Sequence, residues 1–225
     1  QQALEMRRAL LGDRHPDVAT SLNNLALLYQ SQGRYEEAEP YYQQALEMRR
    51  ALLGDRHPAV ATSLNNLAGL YRSQGRYEEA EPYYQQALEM MRALLGDRHP
   101  AVATSLNNLA GLYDSQGRYE EAEPYYQQAL EISLEVLGES HPTIGIRLGN
   151  LAGLYSKTGR FADAQPLYLQ ALSIFMQRLG QEHPYVNTTV QNLFGCVQSA
   201  MAAGQEAMLS YHPLIQNMVQ QIKAS

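Results

Sequence analysis

The chain has 225 residues, 45% of them hydrophobic, with a net charge of −6, no tryptophan and a single cysteine. An acidic balance argues against nucleic acid as a partner, since a binding face for it is normally a basic stripe. No apolar run approaches the ~18 residues of a membrane span. Cys196 alone cannot form an internal disulfide and fits a reducing compartment, so a cytoplasmic location is expected.

The dipeptide His-Pro recurs at His15-Pro16, His57-Pro58, His99-Pro100, His141-Pro142 and His183-Pro184, each 42 residues after the last. A fixed step of that size marks stacked copies of one small unit, which work through a long surface rather than a single pocket. In chain order, residues 1–14 are identical to residues 43–56 and read as the second-helix remnant of a preceding repeat. The chain thus has the look of an excised stretch of a longer array. Residues 15–56, 57–98, 99–140 and 141–182 are four full repeats. Residues 183–225 form a divergent fifth with a C-terminal capping helix, in which Pro213 should break or bend the helix.

Within residues 15–56, Pro16 suits the first turn of a helix. Val18, Leu22, Leu25, Ala26 and Tyr29 then recur at helical spacing, and Gln32-Gly33 ends that helix. A second helix is expected from Tyr35 to Leu53, with Glu36, Glu37 and Glu39 complementing its dipole. Its inner stripe is Ala38, Tyr42, Ala45, Met48 or Arg49, and Leu52. Pro40 lies deep enough to remove one backbone hydrogen bond and bend this helix in every copy. No strand pattern occurs.

The chemistry-bearing residues read as structural. One histidine per unit, with units about one helix diameter (~10 Å) apart, cannot assemble a zinc site whose ligands sit at ~2 Å. His-Pro is therefore a helix start, with no metal and no cofactor expected. The Glu36-Glu37-Ala38-Glu39 clusters read as solvated helix starts rather than paired catalytic acids. One of each Tyr41-Tyr42 pair falls on the packing stripe, and Cys196 takes the position of Leu28, Leu70, Leu112 and Leu154 as a buried apolar thiol. Asn187-Thr188-Thr189 is a glycosylation sequon by chance. No phosphate loop, metalloprotease motif or nucleophile elbow occurs, so no catalytic residue is assigned.

The pattern Leu22-x-x-Leu25-Ala26-x-x-Tyr29, followed by Gly33, Ala38, Tyr42 and Ala45, resembles the tetratricopeptide repeat. The 42-residue period and the connector Leu53-Gly54-Asp55-Arg56-His57-Pro58 are similar to the longer repeats of kinesin light chain and of bacterial signalling arrays. The resemblance implies an all-α fold, a right-handed α-α superhelical solenoid of helix-turn-helix repeats. It also implies a protein- or peptide-binding scaffold, part of a larger signalling or adaptor protein. The alternative is a structural module that self-associates as a homo-oligomer through exposed repeat faces.

Opposite the apolar stripe of the first helix run Thr20, Asn23, Asn24, Leu27, Gln30 and Ser31. In the family this face lines a concave groove whose asparagines bind ligand backbone, and the resemblance carries that role to Asn24, Asn66, Asn108, Asn150 and Asn192. An asparagine offers two donors and an acceptor. A ~10 Å step between units matches three residues of extended peptide at ~3.3 Å each. The alternative is that these asparagines bond neighbouring helices. Asn23, Asn65 and Asn107 flank the row, at a position where carboxylate-clamp members of the family place a cation, so such a clamp is not expected. Repeats one and two differ at only four of 42 positions: Asp17/Ala59, Leu27/Gly69, Gln30/Arg72 and Arg49/Met91. Gln30, Arg72, Asp114 and Ser156 thus place neutral, positive, negative and neutral groups at one position of the face. This variation reads as tuning for recognition or as drift at a tolerant site. The glycines at 69, 111, 153 and 195 leave room either for a ligand or for close helix approach.

Overall fold

A computed structural model describes residues 2–224. Among them every regular element is helical: α1 (Gln2–Leu11), α2 (Pro16–Ser31), α3 (Tyr35–Leu53), α4 (Pro58–Ser73), α5 (Tyr77–Leu95) and α6 (Pro100–Ser115) are followed by α7 (Tyr119–Leu137), α8 (Pro142–Lys157), α9 (Phe161–Leu179), α10 (Pro184–Ala202) and α11 (Pro213–Ala224). The chain divides into two compact units, Gln1–Gln116 and Gly117–Ser225. In the first, α2 packs on α3 and α4 on α5, while α3 also meets α4 and α5 meets α6. In the second, α8 packs on α9, and α7, α10 and α11 follow the same neighbour-to-neighbour order.

Each first helix starts at the proline of a His-Pro dipeptide. The imidazole contributes as well as the proline. Nδ1 of His15 accepts the N–H of Asp17 at 3.1 Å, and His57, His99, His141 and His183 do the same two residues on, at 3.1–3.2 Å. That bond satisfies one of the amides left open at a helix start. The first helix ends in a turn where Gly33 takes φ 73°, and the second ends at Gly54 with φ 79°, both in the left-handed region that glycine enters without a Cβ penalty. α3 runs unbroken through Pro40.

The core is one layer deep between helices. Val18, Leu22, Ala26, Ala38 and Ala45 are fully buried and Leu25 and Tyr29 nearly so, with the same pattern one and two repeats later. A leucine buried to that degree contributes ~1.5–3 kcal/mol. The alanines let the helix axes approach. Two residues of the second helix depart from expectation. Leu52 is exposed rather than inward, because the helix ends one residue later and has left the layer, while Leu46 is buried in its place. Burial pushes the Tyr42 hydroxyl up to about 12.

The C-terminal segment also corrects the sequence reading. His212-Pro213 is a sixth His-Pro, and it opens α11 rather than breaking a helix; His212 Nδ1 accepts the Leu214 N–H at 3.3 Å. Residues ahead of it form a short 3-10 turn, Glu206–Met208, and an extended connector. The connector is held by Gln165, which is 1% exposed and stands where earlier repeats carry Glu39, Glu81 and Glu123. Its Oε1 accepts the Ser210 N–H at 2.7 Å, and its Nε2 donates to the carbonyls of Phe161 (2.9 Å) and Met208 (3.3 Å). An amide can accept and donate there, whereas a carboxylate can only accept. Cys196 is buried at 1% exposure, and burial raises its thiol.

The fourth repeat carries a compensated exchange. Phe175 occupies the position of Arg49, and Gly145 that of Ala19; a Cβ on Gly145 would lie 2.7 Å from the Phe175 ring. Gly145→Ala should therefore destabilise the fold despite alanine's better helix propensity. Ala87, fully buried, should lose ~1–3 kcal/mol on replacement by leucine. Chemical denaturation of both variants checks the packing, with unchanged midpoints counting against it.

Candidate functional site: the asparagine ladder and the repeat junctions

In the first unit the ladder face belongs to α2, α4 and α6. Thr20, Thr62 and Thr104 lie along it, exposed, each hydroxyl bonded back to the carbonyl four residues earlier. Asn24 is exposed, and Asn66 and Asn108 are half-buried. Asn66 Nδ2 donates to Asn23 Oδ1 at 2.7 Å, tying one repeat to the previous one. Asn65 does not stay on the face: it is 8% exposed, and its Nδ2 donates to Ser105 Oγ at 2.9 Å. Asn107 is half-buried beside Asn108. Among the described residues Asn24 and Asn108 have no side-chain hydrogen bond. In the second unit, Asn150 is half-buried on α8 and Asn192 exposed on α10.

The variable position sits at the end of the same helices. The Gln30 amide is already engaged, accepting the Tyr42 hydroxyl at 2.8 Å and donating to Ser73 Oγ at 3.2 Å. Arg72 is half-buried near the Tyr84 hydroxyl, where its charge partly offsets the upward push that burial gives Tyr84. Asp114 and Ser156 are half-buried, and the Ser156 hydroxyl lies within bonding reach of the Cys196 thiol. The glycine beside this position faces a tyrosine: a Cβ on Gly69 would lie 3.4 Å from the Tyr84 hydroxyl, and one on Gly153 3.6 Å from that of Tyr168. Both are ordinary contacts, so at these two positions the space is taken by the same repeat's second helix, whereas a Cβ on Gly195 would meet nothing within 4 Å.

The junctions between repeats hold the polar network that the sequence reading missed. Glu39 Oε1 accepts the Tyr71 hydroxyl at 3.0 Å, and its Oε2 accepts Arg76 Nη1 at 2.7 Å. Arg76 also binds both oxygens of Glu79 at 2.7 Å and lies over the Tyr71 ring, 4.2 Å from its centroid. Tyr113 repeats the contact to Glu81 at 3.1 Å. In the second unit Glu123 takes the Tyr155 hydroxyl at 3.1 Å and Arg160 at 2.8 Å. Of the expected solvated glutamates, Glu36 remains exposed, Glu37 pairs with Arg34, and Glu39 is a junction residue with 22% of its side chain exposed. The signal was available as the invariance of Tyr29, Arg34 and Glu39 among copies one to three, but a spacing of 32 or 37 residues between partners is not visible from one helix.

A second junction pair lies deeper. Arg7 Nη1 reaches Ser21 Oγ at 2.7 Å and Arg49 Nη1 reaches Ser63 Oγ at 2.8 Å, each also taking a carbonyl of the next first helix. Met91 replaces the arginine in the next copy, and there Asn65 serves Ser105 instead. In the fourth repeat the serine position holds Arg147, 5% exposed, which burial pulls down to about 10.

Paired helices of nearly constant length, a 42-residue step and a junction carboxylate that recurs at Glu39, Glu81 and Glu123 are the attributes of a tandem helical-repeat family. The tetratricopeptide repeat profile matches residues 1–51, 23–93, 60–135 and 102–177. The chain belongs to the tetratricopeptide repeat family. This tetratricopeptide chain is kinesin-light-chain-like in its solved relatives. The crystal structure of BtubC (BKLC) from P. vanneervenii is similar at 27% identity and a TM-score of 0.77, over 99% of this chain and 86% of that one. A kinesin light chain candidate from Podosopora anserina with nearly identical TPR-like repeats is also 27% identical, at a TM-score of 0.71 over 93% and 95% of the two chains. A Rap protein complexed with competence and sporulation factor shares the fold at 19% identity and a TM-score of 0.68, over 93% of this chain and 60% of that one. No curated protein sequence matches the chain. Among the described residues no helix is long and apolar enough to cross a membrane.

Two outcomes test the junctions. Tyr71→Phe removes one hydrogen bond to Glu39 and should cost ~1 kcal/mol in urea denaturation. Hydrogen bonds from Arg34, Arg76 and Arg118 hold Glu37, Glu79 and Glu121 below the ordinary carboxylate value. A lowered folded value contributes stability that is fully present above the unfolded value of about 4.3 and is lost as the pH falls through the folded one. The urea midpoint should therefore drop on acidification below that value, and less steeply for an Arg118→Gln variant.

Proposed function

We propose that this chain is a non-catalytic, cytoplasmic scaffold, one arm of a larger signalling or adaptor protein, that holds an extended peptide segment of a partner protein. The peptide lies along the ladder face of α2, α4 and α6 in the first unit; taken by itself, the second unit carries the equivalent face on α8 and α10. The observation that carries the reading is that Asn24, Asn108 and Asn192, on a face with little charge, have amides that no described residue satisfies. The same position is asparagine in all five repeats, at residues 24, 66, 108, 150 and 192. Such amides can take the N–H and C=O of a peptide without reading its side chains. Arg72, Asp114 and Ser156, with Gln30 where a ligand displaces its internal bonds, choose among ligands. Asn23, Asn65 and Asn107 support the row from the side. The repeat boundaries at residues 15, 57, 99, 141 and 183 set its spacing, and α11 closes the last unit. Family membership supports the general role, because tetratricopeptide arrays are interaction scaffolds and are generally not catalysts.

A second reading is favoured by one surface. Leu28 is 53% exposed, against at most 1% for Leu70, Leu112 and Leu154, and Leu10 and Met6 lie open on α1. Self-association through this apolar face would give a concentration-dependent mass in light scattering that Leu28→Ser abolishes.

Peptide-library selection tests the first reading. Asn24→Ala with Asn108→Ala should weaken all selected ligands alike, by ~1 kcal/mol per neutral hydrogen bond lost. Exchanging charges through Arg72→Asp and Asp114→Arg should change the selected motif, since misplaced charges repel as well as fail to attract. Full-strength binding by the asparagine variant would make the ladder structural, and an unchanged motif after the charge exchange would end the recognition role.

A further inference from the structure

The variable position of the ladder face carries an acceptor oxygen in four copies of five. Gln30 and Gln198 bring an amide, Asp114 a carboxylate and Ser156 a hydroxyl, whereas the guanidinium of Arg72 can only donate. Repeat one shows what the acceptor does: Gln30 Oε1 takes the Tyr42 hydroxyl, which comes up from α3, at 2.8 Å. In repeat two the same hydroxyl belongs to Tyr84 on α5. Tyr84 is 2% exposed, and among the described residues its hydroxyl has no hydrogen-bond partner. It surfaces on the ladder side of α4, where a Cβ on Gly69 would lie 3.4 Å from it. Arg72 stands one turn on, close enough for its charge to act on that hydroxyl. The half-buried guanidinium has no hydrogen bond or ion pair among the described residues. Two donors thus share one corner of the face, in the place where repeat one keeps an amide oxygen.

We propose that this corner is a carboxylate subsite: an Asp or Glu side chain of the bound peptide places one oxygen on the Tyr84 hydroxyl and the other on the Arg72 guanidinium. Gln30 Oε1 in repeat one stands in for the first of those oxygens and shows its distance from the tyrosine. A carboxylate offers two acceptor oxygens and a single negative charge, which one guanidinium matches with charge-assisted bonds. A phosphate would set a second negative charge against the same cation. The ladder face continues onto α2 before α4 and onto α6 after it, so a peptide passes this corner rather than ending at it. The carboxylate is therefore a side chain and not a C-terminus. Gly69 leaves the approach open where repeat one has Leu27. A cation in the last turn of α4 also complements the helix dipole. That role alone does not require taking the acceptor away from Tyr84. The inference rests on the ladder reading for the peptide that carries the carboxylate, and adds the residue type that repeat two selects.

The test is selection from a random peptide library on the full chain, as wild type, Arg72→Gln and Tyr84→Phe. Arg72→Gln copies the arrangement of repeat one and should fold as wild type does. Wild type should enrich Asp or Glu at one fixed position of the motif, and Arg72→Gln should select peptides without that enrichment. The best peptide is then made with an amidated C-terminus. Replacing its acidic residue by Gln should weaken binding to wild type about tenfold and leave binding to Arg72→Gln unchanged. Tyr84→Phe keeps the cation and should lose about fivefold for the acidic peptide alone, the effect of one hydrogen bond. Three results overturn the carboxylate subsite while leaving the ladder intact: selected peptides with no acidic preference, no loss in Tyr84→Phe, or tighter binding of a phosphoserine version. Sodium acetate probes the corner without the ladder. It should shift the Arg72 Nε–H resonance saturably, less so in Tyr84→Phe, and sodium chloride should not. A library that yields no peptide sinks the ladder reading, and the acetate titration then decides the subsite alone, with equal shifts in the two salts overturning it.

Discussion

At Glu39 and Glu123 a carboxylate near the start of the second helix receives two donors from the next repeat, a tyrosine hydroxyl and a guanidinium. Glu39 is the case with every contact in view: one oxygen takes the Tyr71 hydroxyl and the other the Arg76 guanidinium, which is itself stacked on the Tyr71 ring and forked onto Glu79. Apolar packing holds α3 against α4, but leucine and alanine contacts tolerate small rotations and slides. Two hydrogen bonds converging on Glu39 from donors that are themselves stacked on each other do not. They fix where the following first helix ends relative to the second helix before it, and the position of the asparagine row depends on that relation. A charged group with 22% of its side chain exposed is partly screened, so the junction specifies geometry more than it adds stability.

Helix positions were legible in the sequence because each is determined within its own repeat. The 3.6-residue stripe, the proline after histidine and the glycine at the turn are local signals, and the second helix falls at Tyr35–Leu53 as expected. The errors share a cause. Leu52 was read as inward by extending a periodic stripe past the point where packing ends. Pro213 was read as a breaker because the missing 42-residue phase hid its histidine. Glu39 was read as solvated because its partners lie in the next repeat. Identifying those partners needs the relation between repeats, which no single-helix period contains.

The candidate site was less legible than the fold for a related reason. Five equivalent asparagines look alike in sequence, yet their surroundings differ: Asn66 is bonded to Asn23, while Asn24 and Asn108 keep free amides among the described residues. Asn65 has turned inward, and the reason lies on the following second helix. Losing the arginine at Met91 left Ser105 without a donor, and Asn65 supplies one. A change in the core of a junction thereby alters what the face presents, so positions on the ladder cannot be read independently of the residues beneath them.

The replacement of glutamate by Gln165 has a consequence for how such a chain can change length. Duplicating a 42-residue block among the first three copies supplies each new carboxylate with a new tyrosine and arginine, so recombination between the near-identical copies can lengthen or shorten the array there without inventing a contact. Beyond Leu179 that freedom ends. A block inserted after the fourth repeat would offer a hydroxyl and a guanidinium to a buried amide, and would displace the connector at Met208–Ser210 that the amide now grips. Lengthening by simple duplication, with every new contact already supplied, is therefore open to the repeats that carry the glutamate and closed at the one that carries Gln165.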